Sequence, residues 1–168
     1  MLGKSFMSPQ PASLGGLTIP VVSLLYPLAF SNVHFSLAVA LGCQLTKPLH
    51  ITDQVPMFEL MKRNISLNNL DSQVDASIYD WGSAPPSNIP AHPDVILAAD
   101  CVYFEPAFPL LQKTLQDLIG EKTVCYFCFK KRRRADLQFM KVARKLFKVE
   151  EVGDDPDKEV YSRENIFL

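Results

Sequence analysis

Apolar and polar positions along this chain switch repeatedly between a helical period and a strand-like one, which sets out a regular succession of elements. FSLAVALG (35–42) reads as the end of an apolar helix stopped by Gly42. PLHITD (48–53) is a short apolar strand, and Pro56 opens a helix in which Phe58, Met61 and Ile65 recur at helical spacing. QVDASI (73–78) alternates as a strand. DVILAAD (94–100) is the continuous apolar run of a strand buried on both faces. Phe108, Leu111, Leu115 and Leu118 form a helical stripe that ends at Gly120. KTVCYFCF (122–129) reads as the next buried strand, and ADLQFMKVARKLFK (135–148) is amphipathic through Leu137, Met140, Ala143 and Phe147. KVEEV and EVYSRENIFL read as two closing strands with no helix between them. The turn GDDPD (153–157) joins them, so this pair is expected to be antiparallel.

Repeated βα units predict an α/β fold: a Rossmann-like three-layer sandwich with a mostly parallel sheet and an antiparallel C-terminal hairpin strand. The proline-rich stretch GSAPPSNIPAHP (82–93) is expected as a surface loop. Residues 36–168 are expected to form the domain. Residues 1–35 are expected to be an atypical, poorly ordered segment that supplies one makeshift strand from IPVVSLLY (19–26).

Composition narrows the classes. A chain of 168 residues is one domain by size, and 48% hydrophobic residues support a full core. A formal charge of −1 supplies no global field for nucleic acid or membrane, so only local clusters can carry such a role. GLTIPVVSLLYPLAFSN (16–32) is too short, and too interrupted by Pro20 and Pro27, for a spanning helix. Lys4 is the one basic residue before it and no small-residue cleavage pattern stands out, so a cytoplasmic location is expected. Cys43, Cys101, Cys125 and Cys128 sit in apolar surroundings without a disulfide-type framework, which points to a reducing compartment. Cys125 and Cys128 are an odd offset apart on a strand, so their thiols should face opposite ways and pack rather than share a metal. The three histidines are scattered and suggest neither a metal site nor a triad.

Four places could carry chemistry. Asp53 closes a strand; an acid there can accept hydrogen bonds from a ribose diol, or can cap the helix that follows. Trp81, the single tryptophan, lies in YDWG, where it can stack on a purine or pack against the proline-rich loop. Asp100, Tyr103 and Phe104 form ADCVYF at the end of the fourth strand. That acid can orient an amine beside aromatic rings, or cap the helix starting near Glu105. The basic run KKRRR (130–134) reads as a solvated edge, a grip on an acidic protein or RNA, or an import signal.

HITDQVPMFELMKRNISLN, YDWG, DVILAADCVYFEPAFPLLQKTL, CYFCFKKRRRAD and RENIFL, in that order, resemble the seven-β-strand protein-lysine methyltransferases over about residues 36–168. The likeness is closest to the branch that methylates translation elongation factor one-alpha, and ADCVY matches the family's D-x-x-Y motif. The resemblance implies a class I methyltransferase fold, N-terminally incomplete, acting as a monomer with S-adenosylmethionine on a protein substrate. It implies that Asp53 binds the cofactor ribose, Trp81 lies beside the adenine and Ala99 touches the cofactor through its backbone. Asp100 and Tyr103 would line the channel where the lysine enters. No metal, membrane or nucleic acid is implied.

One departure stands out. The family's cofactor loop is Gly-rich, whereas no glycine occurs between Gly16 and Gly42. Larger side chains keep the backbone further from a ligand and disfavour left-handed turns. Weakened cofactor binding, and greatly reduced or absent methyl transfer by residues 1–168, is therefore expected. A non-catalytic remnant acting as a binding module is the competing expectation.

Overall fold

A computed structural model describes residues 19–22, 49–152 and 156–167. The strands are β1 (Ile19–Val22), β2 (Leu49–Asp53), β3 (Val74–Ile78), β4 (Val95–Ala99), β5 (Val124–Lys130) and β6 (Ile166–Phe167). The helices are α1 (Val55–Leu67), α2 (Phe108–Leu118), α3 (Arg134–Leu146) and α4 (Lys158–Arg163). The expected helix end at 35–42 lies outside the described residues.

Among the described residues, six strands form one sheet in the order β3-β2-β1-β4-β5-β6. β1 to β5 pair in parallel, and β6 pairs antiparallel to β5 through Phe129 opposite Phe167. Register fixes the faces. Val21 pairs with both Ile51 and Leu97, so those two share one face, while Ile96 and Ala98 point to the other. On the second face α2 and α3 lay Phe108, Leu111, Leu115, Leu118, Phe139 and Ala143 against Ile96, Ala98 and Phe129. Phe139 holds this layer together, stacked on Phe127 at 5.5 Å and edge-on to Phe108 at 5.3 Å. α1 packs on β2 and β3 and buries Met61 and Ile65. The three-layer expectation holds.

The expected makeshift strand occurs as Ile19–Val22, in the middle of the sheet between β2 and β4. Two local expectations are corrected. β5 is not buried on both faces: Val124 and Tyr126 are exposed, while Phe129 on the opposite face is buried under α2 and α3. At the tail, the antiparallel strand is present but pairs with β5 rather than with KVEEV. Residues 148–152 form no strand, and Lys158–Arg163 is a helix with Glu159 in its first turn and Arg163 in its last. That charge placement matches the helix dipole, which outweighs the strand preference of Val160 and Tyr161. Of the GDDPD turn, residues 153–155 lie outside the described residues.

Candidate active site

Strand order reverses at β1, which is flanked by β2 on one side and β4 on the other. In an open α/β sheet the carboxyl edge at such a reversal forms a crevice where ligands bind. Asp53 ends β2 and Asp100 follows β4 directly, so an acid stands on each side of this crevice. Two strand spacings separate them, about 10 Å of sheet width.

Asp53 is fully buried, and its Oδ1 accepts the Gln54 backbone N–H at 2.7 Å. Gln54 occupies the cap position of α1, and no side-chain hydrogen bond caps that helix. The capping alternative is thus not the role of Asp53. A buried carboxylate at a ligand-binding edge is costly unless polar partners meet it, which fits an acceptor for hydroxyl groups.

Asp100 is set differently. Its backbone has φ of 54°, a left-handed conformation uncommon outside glycine, and its N–H donates to the Cys128 carbonyl at 2.7 Å. The residue at the cap of the following 3-10 turn is Phe104, without a side-chain cap bond, so Asp100 does not cap either. Instead Arg132 donates to both its oxygens, Nη1 to Oδ1 at 2.6 Å and Nη2 to Oδ2 at 2.9 Å. The side chains are 41% and 40% exposed. That hydrogen bond and the adjacent charge raise the Arg132 pKa above its ordinary value. Next along the chain, Tyr103 is half-buried and Phe104 exposed. Arg133 Nη2 donates to the Tyr103 carbonyl at 2.5 Å.

Trp81 is only 6% exposed and packs in the core cluster with Tyr79, Ile89 and Phe108. Its position agrees with the packing alternative, although its indole N–H is buried without an acceptor among the described residues. Gly82 after it has φ of 81° and donates to the Thr114 hydroxyl at 2.9 Å, fastening the turn to α2. Ala99 is half-buried at the end of β4.

The two thiols of the CxxC pair face opposite sides, since Cys125 pairs with Ile96 and Cys128 with Ala99. Burial pushes Cys125 up to about 12. Burial, with help from the Asp100 charge, pushes Cys128 up to about 11. Both are protonated at neutral pH and poor nucleophiles. A cleft of about 730 Å³ opens between α2, β5 and α3, lined by Ile119, Phe127, Phe139, Met140 and Phe167. None of Asp53, Trp81, Asp100 and Tyr103 lines it, so it is not this site.

Comparison with known proteins decides the family. The lysine methyltransferase family matches residues 35–146. The chain belongs to that family. It is 36% identical over 130 residues to the protein-lysine N-methyltransferase EFM6 of Saccharomyces cerevisiae, covering 71% of this chain and 53% of that protein. It is 31% identical over 127 residues to the protein N-lysine methyltransferase METTL21A of Mus musculus, covering 74% and 56%. The chain therefore spans about half the length of the curated relatives it matches. In fold, it is similar to TrmK of M. capricolum, solved with the cofactor product S-adenosyl-homocysteine. That match has a TM-score of 0.50 and 11% identity, and it covers 84% of this chain and 59% of the other. A Pseudomonas syringae structure with a provisional methyltransferase assignment aligns with a TM-score of 0.56 and 9% identity, covering 90% and 85%. These likenesses establish the class I methyltransferase fold. β1 precedes the family match yet sits at the centre of the sheet.

The structure thus brings Asp53, Ala99, Asp100 and Tyr103 to the sheet's carboxyl edge and sets Trp81 in the core beside it. Sequence reasoning missed the arginine clamp and its anchor, Asp136, which is fully buried and accepts the Arg132 and Arg133 backbone N–H groups at 2.8 and 2.9 Å. A signal was present: an acid three residues after Arg133 at a helix start is half of a capping box. No sequence signal joins Arg132 to Asp100.

Proposed function

We propose that this protein is an S-adenosylmethionine-dependent protein-lysine N-methyltransferase acting on translation elongation factor one-alpha in the cytoplasm as a monomer. The observation that carries this is a pair of acids flanking the strand-order reversal in a chain of the lysine methyltransferase family.

The residues of the edge fit the adenosine half of the cofactor. Asp53 is a fully buried acceptor suited to a vicinal diol, and the Trp81 indole N–H is a buried donor without an acceptor among the described residues. Asp53 would hold the ribose, Trp81 would border the adenine and the Ala99 backbone would touch the cofactor. When bound, S-adenosylmethionine supplies an electrophilic methyl group on sulfur. The chain's own task is then to present a neutral amine. A lysine of pKa ~10.4 is only ~0.04% neutral at pH 7, so the channel must strip water from it and align it. Asp100 would accept a hydrogen bond from the amine and set its direction, while Tyr103 and Phe104 would exclude water.

A second reading, a remnant with little or no turnover, is favoured by one observation: no glycine lies between Gly16 and Gly42 to bring the backbone close to the cofactor. We expect turnover well below that of a chain with a Gly-rich loop. Incubating the full chain with radiolabelled S-adenosylmethionine and purified elongation factor tests both. Label on a substrate lysine supports the methyltransferase, and calorimetric binding of the cofactor without label supports the remnant. Absence of both label and binding would refute the cofactor assignment.

No helix among the described residues is long and apolar enough to cross a membrane.

A further inference from the structure

The basic run KKRRR is largely committed to oxygens of its own chain. Lys130 Nζ meets Glu164 at 3.2 Å, Arg132 takes both oxygens of Asp100, and Arg133 reaches the Tyr103 carbonyl and Asp136. Three of the five side chains are thereby engaged, and Lys131 and Arg134 remain exposed. A nucleic-acid surface needs several cations free to replace counterions on phosphates, and this run does not offer them. We propose that Arg132 is a positioning residue for the Asp100 carboxylate, and that the run is an internal clamp on the edge of the site. This rests on the reading of Asp100 as a wall of the lysine channel.

The clamp is rigid at its base. Asp136 is fully buried on α3 and holds the backbone N–H groups of Arg132 and Arg133 with one oxygen, so the turn between β5 and α3 cannot slide. From that base the planar guanidinium fork matches the carboxylate at two points, at 2.6 and 2.9 Å. Two-point contact removes the rotational freedom that a single ammonium would leave. Arg133 pins the Tyr103 carbonyl at the same time, so the whole stretch from Asp100 to Tyr103 is held from one side. The left-handed backbone of Asp100 makes such restraint necessary, since an L-residue held at φ of 54° relaxes when its surroundings loosen.

Charge gives the clamp a chemical consequence. The groups around Asp100 are Arg132 and Arg133 from the β5–α3 turn, Asp136 behind them on α3, and the Cys128 thiol on β5. A thiol offers no positive charge in either protonation state, and Arg132 is the cation paired with Asp100. A bare carboxylate beside a lysine amine favours the ammonium form, which cannot attack an electrophile. Paired with Arg132, Asp100 can accept an N–H hydrogen bond while holding the proton less tightly.

Arg132→Gln, Arg132→Lys and the control Lys131→Gln, made in the full chain, test this with two independent measurements. Hydrogen exchange of amides 100–104 should rise about tenfold or more in Arg132→Gln, while β2 and β3 stay as they are. Unchanged exchange would overturn the clamp. In the pH profile of methyl transfer, the acid limb should move up by about one unit in Arg132→Gln and stay in place in Arg132→Lys, which keeps the charge but lowers the rate. Lys131→Gln should match the parent in both. A purely structural arginine would lower the rate of Arg132→Gln without moving the limb, and that result would overturn the positioning role. Absence of transfer by the parent chain would refute the proposed function instead, and the exchange measurement would then decide the clamp by itself.

Discussion

Replacing Gly82 by alanine should cost about 2 kcal/mol, chiefly through the backbone, and two terms can be separated. Gly82 lies at φ of 81°, where an L-residue crowds its own carbonyl at a cost of about 1–2 kcal/mol. A Cβ there would also come within 2.7 Å of Leu110 Cδ2, but only 3.4 Å from its Cβ and 3.6 Å from its Cα. The close contact is with the far end of a side chain that is 47% exposed and can swing away, which costs about 0.5–1 kcal/mol in rotamer strain. The backbone term wins. A loss of this size lowers the folded-to-unfolded ratio by about 30-fold and is read from the urea midpoint. The discriminating variant is Gly82→Asn, which is bulkier but tolerates a left-handed backbone better. It should be more stable than Gly82→Ala. If asparagine proves worse, or if Leu110→Ala restores Gly82→Ala fully, the clash governs and the backbone argument is refuted.

Phe139→Ala should destabilise by about 3–5 kcal/mol, because its ring is fully buried between Phe108 and Phe127; a loss under about 1 kcal/mol in urea denaturation would mean the α2–α3 layer repacks. Asp53→Ala should weaken S-adenosylmethionine binding about tenfold or more by calorimetry, and an unchanged dissociation constant would remove the ribose assignment. Stability should fall in alkali. Cys125 and Cys128 have folded values of about 12 and about 11 against 9.0 for an unhindered thiol, so the unfolded chain loses these protons first. Their contribution is intact below pH 9 and is lost as pH rises towards 11–12, at up to about 1.4 kcal/mol per unit for each thiol. Urea midpoints between pH 8 and 10.5 should slope downward, and less steeply in Cys125→Ala; parallel slopes would contradict the burial argument.

Periodicity made the parallel core legible because each βα unit buries its own apolar face, and that pattern is written locally at Val95–Leu97 and Phe108–Leu118. Packing partners are not written locally. VCYFCFK looks buried throughout, yet among the described residues helices cover the side carrying Phe129, and Val124 and Tyr126 on the other are exposed. KVEEV looks like a strand, yet a strand needs a neighbour with free backbone groups; Lys148 pairs instead with Glu150 at 2.6 Å among exposed residues. The site divides in the same way. Acids at strand ends could be found from the strands alone, whereas the contact between Arg132 and Asp100 spans 32 positions and follows only from the β4–β5 pairing.

Three aspartates show how environment sorts one residue type into separate tasks. Asp136 and Asp53 are both fully buried, but the first faces backbone donors of its own turn and so fixes a loop. Asp53 ends a strand at the sheet's carboxyl edge and accepts the Gln54 N–H, where a small molecule bound at that edge would meet it. The Asp100 side chain is 40% exposed, and Phe104 four residues on is exposed as well. A lysine carried on a folded protein extends about 6 Å beyond its backbone, so it needs an acid that is reachable from solvent. Of the three, Asp100 alone meets that condition, and Arg132 then decides the state in which such an amine is received.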